Sequence, residues 1–199
     1  MQARAMTATL PPSQNSVAGR YMKVNIEIER SAVVPVPYPQ VEPLLKDLEG
    51  TIGRFPKLKK LTRLGEDQYL WEMRTIGSRI ANIAHDVSYG AHYRVDLDRG
   101  ELSWKPLANQ GNASIEGYFR IAQGNLGGKP GGSDETRLTF RVWGELRDVP
   151  VPLLYRMVAP PFIQGKFTRL VDTFLEDTRD ALVHGKVGKH ARPAKKRGA

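Results

Sequence analysis

The sequence predicts an α+β fold: a curved antiparallel sheet of about seven strands wrapped around one long C-terminal helix, with two short helices after the first strand. Three observations predict it. Residues 22–34 alternate apolar and polar side chains, strand-like segments then follow one another with only turn residues between them, and the body closes on a long amphipathic stretch. Alternation with period 2 marks half-buried strands and a 3.6-residue stripe marks a helix. Strands at hairpin spacing with no helical interruption imply an antiparallel meander.

In the first segment Val24, Ile26 and Ile28 share one face, and Asn25, Glu27 and Glu29 the other. Pro35, Pro37 and Pro39 end it, since proline supplies no ladder donor. Val41, Leu44, Leu45 and Leu48 then recur at helical spacing through a short helix ending near Gly50, with a second brief turn over 51–55 closed by Pro56. Strands are expected over 58–64, 69–75, 80–96, 101–107, 114–123 and 136–146. The glycine-rich stretch 124–132 reads as a hairpin connection. It is no phosphate-binding loop, because Lys129 is followed by Pro130 and strands flank it. Residues 149–162 are apolar and broken by prolines. The long helix starts at Phe162, and Ile163, Phe167, Leu170, Val171, Phe174, Thr178 and Leu182 form its apolar stripe.

A sheet with one apolar face needs a cover, and only the last helix is long enough to supply it. One helix about 10 Å across does not fill a broad concavity. The space left over is closed by large side chains or kept as a cavity for an apolar ligand.

Composition narrows the function classes. The chain has 199 residues, 40% of them hydrophobic, which is enough for one domain that needs no disulfide staples. There is no Cys, so thiolate zinc sites and cysteine nucleophiles are excluded, and a reducing, cytoplasmic setting is expected. No apolar run approaches the roughly 20 residues of a membrane-spanning helix. The formal charge of +9 sits at the ends of the chain: Lys186, Lys189, Arg192, Lys195, Lys196 and Arg197 at one, Arg4, Arg20 and Lys23 at the other. Between Val24 and Val183 the remaining 21 basic residues face all 21 acidic ones. A dedicated nucleic-acid module would carry its excess on the fold, so nucleic acid is not the expected partner. The expected organisation is a disordered leader over 1–21, one domain over 22–184 and a disordered basic tail over 185–199, the tail suited to peripheral contact with an anionic membrane.

IEIERSAVVPVPYPQVEPLLKDLE, RFPKLKKLTRLGEDQYLWEM and TRLTFRVWGEL followed by FIQGKFTRLVDTFLEDTRDAL carry a family resemblance. In these segments residues 23–183 resemble the START/SRPBCC superfamily (Bet v 1-like helix-grip proteins), including its polyketide cyclase/dehydrase-like and coenzyme Q-binding-like bacterial members. The resemblance implies a helix-grip fold and a hydrophobic small-molecule ligand such as a lipid, quinone or polyketide-like aromatic. An aromatase/cyclase-like enzyme, or a protein or RNA interaction module using the basic tail, are the alternatives it leaves open.

Strand and helix parity place Tyr69, Trp71, Met73, His85, Val87, Tyr89, Tyr93, Trp104, Phe119, Phe140, Phe167, Leu170 and Phe174 on the inward surface as candidate ligand-binding residues. His85 is the one inward histidine and the only catalytic candidate. It lacks an acid at matching parity, because Asp86 falls on the opposite face. No metal set at ligand spacing, no G-x-S-x-G elbow and no cofactor motif is found, so neither metal nor cofactor is expected. Leu153, Leu154, Met157, Val158 and Phe162 form a candidate lip that either meets a membrane during ligand exchange or packs beneath the sheet edge.

Overall fold

A computed structural model describes residues 21–78, 83–124 and 134–185. All of the expected leader but Tyr21, and all of the basic tail but Gly185, including its six cations, lie outside the described residues, as does Lys129 of the glycine-rich connection. The chain runs β1 (Tyr21–Val34), three short helices α1 (Tyr38–Val41), α2 (Pro43–Lys46) and α3 (Leu48–Ile52), then β2 (Leu58–Gly65), β3 (Gln68–Met73), β4 (Ile76–Ser78), β5 (Ile83–His85), β6 (Ser88–Asp96), β7 (Glu101–Gly111), β8 (Ala113–Gln123) and β9 (Thr136–Pro150). A 3-10 turn at Leu153–Tyr155 leads into α4 (Ala159–Val183).

Seven strands form one antiparallel sheet in the order β1-β9-β8-β7-β6-β3-β2. α4 covers its concave face, burying Ile163, Phe167, Leu170, Val171, Phe174, Thr178 and Leu182 as its stripe requires, together with Ala159 and Leu175. The free edge of β1 is also covered by this helix. The Gln164 side-chain amide accepts from the Glu27 backbone N–H at 3.2 Å and donates to the Glu27 carbonyl, standing in for a neighbouring strand. Arg30 Nε reaches Asp172 Oδ1 at 3.1 Å one step further along the same edge.

Two expectations need correction. The two helical segments after β1 are three single-turn pieces. Pro43 brings no N–H, and Asp47 leaves helical geometry (φ −100°, ψ 74°) to accept from the Gly50 N–H at 2.9 Å. The long strand over 80–96 is broken at Asp86 and Val87: β5 pairs with β4 in a separate two-stranded sheet, and β6 joins the main one. Asn112 holds the break, its Oδ1 accepting from the Ser88 N–H at 2.9 Å and its Nδ2 donating to the Asp86 carbonyl at 2.7 Å.

Candidate functional site

Register brings the inward side chains together. Trp71 lies opposite Tyr89 across β3 and β6, Tyr93 opposite Trp104 across β6 and β7, and Phe119 opposite Phe140 across β8 and β9. Gly117 faces both Trp104 and Val142. A Cβ there would lie 2.7 Å from Trp104 Cζ2 and 2.2 Å from the Arg141 carbonyl oxygen, so glycine makes the space the indole occupies. α4 lowers Phe167 and Phe174 onto this floor.

The result is a continuous aromatic cluster. Trp71 stacks on Tyr89 with centroids 5.5 Å apart, and Phe174 meets Phe140 at 5.4 Å and Phe119 at 5.8 Å. Phe55, from the turn after α3, inserts among them at 5.6 Å from Trp71, 5.8 Å from Phe140 and 5.5 Å from Phe174. Its own side chain is only partly buried.

The open hollow that wrapping a sheet round a single helix predicts is largely closed by these rings. The remaining internal cavity is about 40 Å³. That is space for a few waters, roughly a tenth of what a drug-sized ligand occupies. Of the thirteen sequence candidates, Trp71, Met73, Tyr89, Tyr93, Trp104, Phe119, Phe140, Phe167 and Phe174 line it, joined by Ile26, Thr51, Ile52, Phe55, Leu102, Ile115, Val142 and Val171. Four do not. Tyr69 is buried but turned to α3, its hydroxyl donating to Glu49 Oε1 at 2.9 Å. Val87 is core, and Leu170 faces an outer cleft. His85 sits in the small sheet beside Arg147 and Asp148 of β9 because the strand break carries it away from the interior. Burial lowers its pKa below the ordinary value of 6.5, against the pull of Asp86 and Asp148.

Among the described residues the lining holds no carboxylate, histidine or lysine. The Trp71 and Trp104 indole N–H groups are both buried; that of Trp71 lies beside the Tyr93 hydroxyl, and that of Trp104 has no acceptor. Burial pushes the Tyr89 and Tyr93 phenols well above the ordinary value of 10, opposed at Tyr93 by hydrogen bonding with the Trp71 indole. Both phenols are harder to ionise in the fold than in the unfolded chain. Their contribution to stability is therefore complete below about pH 10 and is lost as the pH rises above it. Alkaline unfolding is expected to carry the ionisation of Tyr89 and Tyr93 with it, and Tyr89→Phe/Tyr93→Phe should flatten the fall in melting temperature. An absorbance titration in which every phenol ionises near pH 10 while the fold persists would contradict their burial. Among the described residues no group of three or more His, Asp or Glu is placed to hold a metal ion.

Within the apolar 149–162 stretch Val149, Val151 and Ala159 are buried in the core, while the middle stands in water. Leu153 is 70% exposed, Leu154 91%, Met157 92% and Val158 54%, so these four do not pack beneath the sheet edge. Phe162 does pack against the core, with the Lys166 ammonium 5.3 Å above its ring. None of the five lines the internal cavity. No described helix is long and apolar enough to cross a membrane.

A curved seven-stranded antiparallel sheet gripping one long C-terminal helix, with short helices after the first strand, is the START/SRPBCC-like (Bet v 1-like) helix-grip fold, and the chain has it. No protein-family model matches the sequence, and no curated protein matches it. Solved structures do. The chain is similar to a protein from Thermus thermophilus at 16% identity and a TM-score of 0.57, over 80% of this chain and 98% of that one. It is similar to the ZhuI aromatase/cyclase of a Streptomyces species at 12% identity and a TM-score of 0.56, over 84% and 99%. A conserved protein from Geobacillus kaustophilus follows at 16% identity and 0.53, over 82% and 97%. At these identities the likeness is one of fold.

Proposed function

We propose that the protein binds, and hands on, a hydrophobic small molecule taken into the aromatic interior between sheet and α4. The observation that carries this reading is the lining itself: a buried surface of rings and aliphatic side chains in which the Trp104 indole N–H has no acceptor. A buried donor without a partner costs roughly 1–3 kcal/mol, so a ligand carbonyl or ether oxygen would relieve it. Aromatic rings suit a flat or chain-like apolar body. With no group in the lining that gains or loses a proton near neutral pH, carriage is favoured over acid–base catalysis.

The small resting cavity makes entry conditional on movement, and Phe55 is the side chain placed to move. It comes from a turn, is partly exposed and touches three rings of the cluster. Its withdrawal would join the cavity to solvent. Binding of the neutral probe N-phenyl-1-naphthylamine, followed by fluorescence, tests this. The wild type is expected to show saturable one-site binding, and Phe55→Ala to bind about tenfold more tightly because the cost of displacing the ring is removed. Absence of saturable binding to both proteins would overturn the reading.

Exchange with a membrane is the second part of the proposal. It rests on the exposure of Leu153, Leu154, Met157 and Val158, which with the basic tail would combine apolar and electrostatic attraction to an anionic bilayer.

A further inference from the structure

Lys57, Ile76, Gly77, Lys166, Arg169 and Leu170 line a cleft of about 180 Å³ on the outside of the same wall that bounds the aromatic interior. The two spaces share their walls residue by residue: Phe167 and Val171 of α4 face inward while Lys166 and Leu170 face the cleft, and Phe55 faces inward two residues before Lys57. Three cations meet there. Among the described residues no acidic side chain lines the cleft, and none of the three cations forms an ion pair. Lys57 Nζ donates to the Thr75 carbonyl at 3.0 Å, which fixes one ammonium at the rim. The floor, Ile76 and Leu170, is apolar and buried.

Lys23, Arg30, Lys46, Lys60, Arg99, Arg120 and Arg141 each have a carboxylate partner, whereas here three cationic residues without one line the same concavity. Three like charges lining one concavity favour an anion there. A carboxylate or phosphate matches both the charge and the available donors. Val158, Phe162, Lys166 and Arg169 follow one another at helical spacing, so the cleft lies on the side of α4 that continues from the exposed apolar connection.

We infer that this cleft seats the anionic group, carboxylate or phosphate, of an amphiphilic ligand whose apolar part occupies the aromatic interior. The inference rests on the ligand-binding reading above and narrows its ligand from any hydrophobic molecule to an anionic amphiphile. Charge in the outer cleft and rings within also set the orientation: the chain enters past Phe55, and the head stays among Lys57, Lys166 and Arg169.

Displacement of bound N-phenyl-1-naphthylamine by dodecanoate and by dodecanol, which share a chain and differ in charge, tests it. Dodecanoate is expected to displace the probe at about tenfold lower concentration than dodecanol. The preference should shrink with added salt and vanish in Lys166→Gln/Arg169→Gln, whose melting temperature stays near that of the wild type. Inorganic phosphate, the same charge without a chain, is expected to leave the probe bound. Equal displacement by acid and alcohol, or a preference that survives in the double variant, would overturn the anionic site while leaving hydrophobic binding intact. Displacement by phosphate alone would overturn it by assigning the cleft to a free anion. A wild type that never binds the neutral probe would overturn both.

Discussion

Phe174→Ala is expected to destabilise the protein by about 3–5 kcal/mol, the range for removing a buried aromatic ring. For a folded body of this size that lowers the melting temperature by about 6–20 °C. Phe174 lies at the meeting point of the sheet and α4, where its ring contacts Phe55, Phe119 and Phe140 at 5.4–5.8 Å. Removing it leaves a hole in a cluster hemmed in by those rings, and the strands bearing Phe119 and Phe140 are fixed by register on both flanks. The site has little means of collapsing. Thermal denaturation followed by near-ultraviolet circular dichroism checks the shift, and Thr173→Ala, one exposed residue away, supplies the control with a change within about 0.5 kcal/mol. A loss of about 1 kcal/mol or less at Phe174, on the scale of an average site, would mean that the cluster is looser than its ring distances indicate.

Leu153→Glu/Leu154→Glu is expected to abolish association with liposomes rich in phosphatidylglycerol and to leave the melting temperature almost unchanged. Both side chains stand mostly in water, so the fold loses little when they change. Burying one leucine side chain in a bilayer interface contributes about 1.5–3 kcal/mol, and a glutamate adds repulsion from anionic lipid. Deleting the residues after Gly185 should remove the dependence on phosphatidylglycerol while retaining a weaker attachment to neutral liposomes, because the apolar and electrostatic parts reside in different segments. Co-sedimentation measures both effects. Unchanged sedimentation of the double glutamate variant would show that the exposed connection is not the membrane contact.

The parts of the fold legible in the sequence are those with long, regular periods. β1 and α4 follow from alternation and from a 3.6-residue stripe, and the inward set Trp71, Tyr89, Tyr93, Trp104, Phe119 and Phe140 follows from strand parity once the strands are placed. Parity fails at a break. Continuing the alternation from Ile83 through Val95 puts His85 on the interior surface, where the structure does not have it. An Asn112 side chain bonding to both sides of Asp86–Val87 is what divides the segment, and no period in residues 80–96 reports a partner from a distant strand. Phe55 escapes a reading by pattern for a related reason. It lies in an irregular turn between Gly53 and Pro56, where no stripe or alternation assigns a direction, although its ring touches Trp71, Phe140 and Phe174 at once. The size of the cavity is equally out of reach, since it depends on how rings from several elements interleave rather than on which way each one points. Residues 149–162 show the converse. Composition marks them as apolar, but only the structure separates the exposed Leu153, Leu154, Met157 and Val158 from the packed Phe162.

The three tryptophans allow a direct test of the claim that the aromatic interior receives an apolar ligand. Trp71 and Trp104 line the cavity, and Trp143 lies outside it with its Nε1–H donating to Glu116 Oε1 at 2.8 Å. In a proton–nitrogen correlation spectrum each indole N–H gives its own signal. Titration with dodecanoate is expected to move the Trp71 and Trp104 signals together to saturation, as the two cavity-lining indoles meet new surroundings, and to leave the Trp143 signal in place. If dodecanoate binds at the surface, or not at all, the two interior signals will stay where they are while the Trp143 signal moves or nothing does, and the interior is then no ligand site.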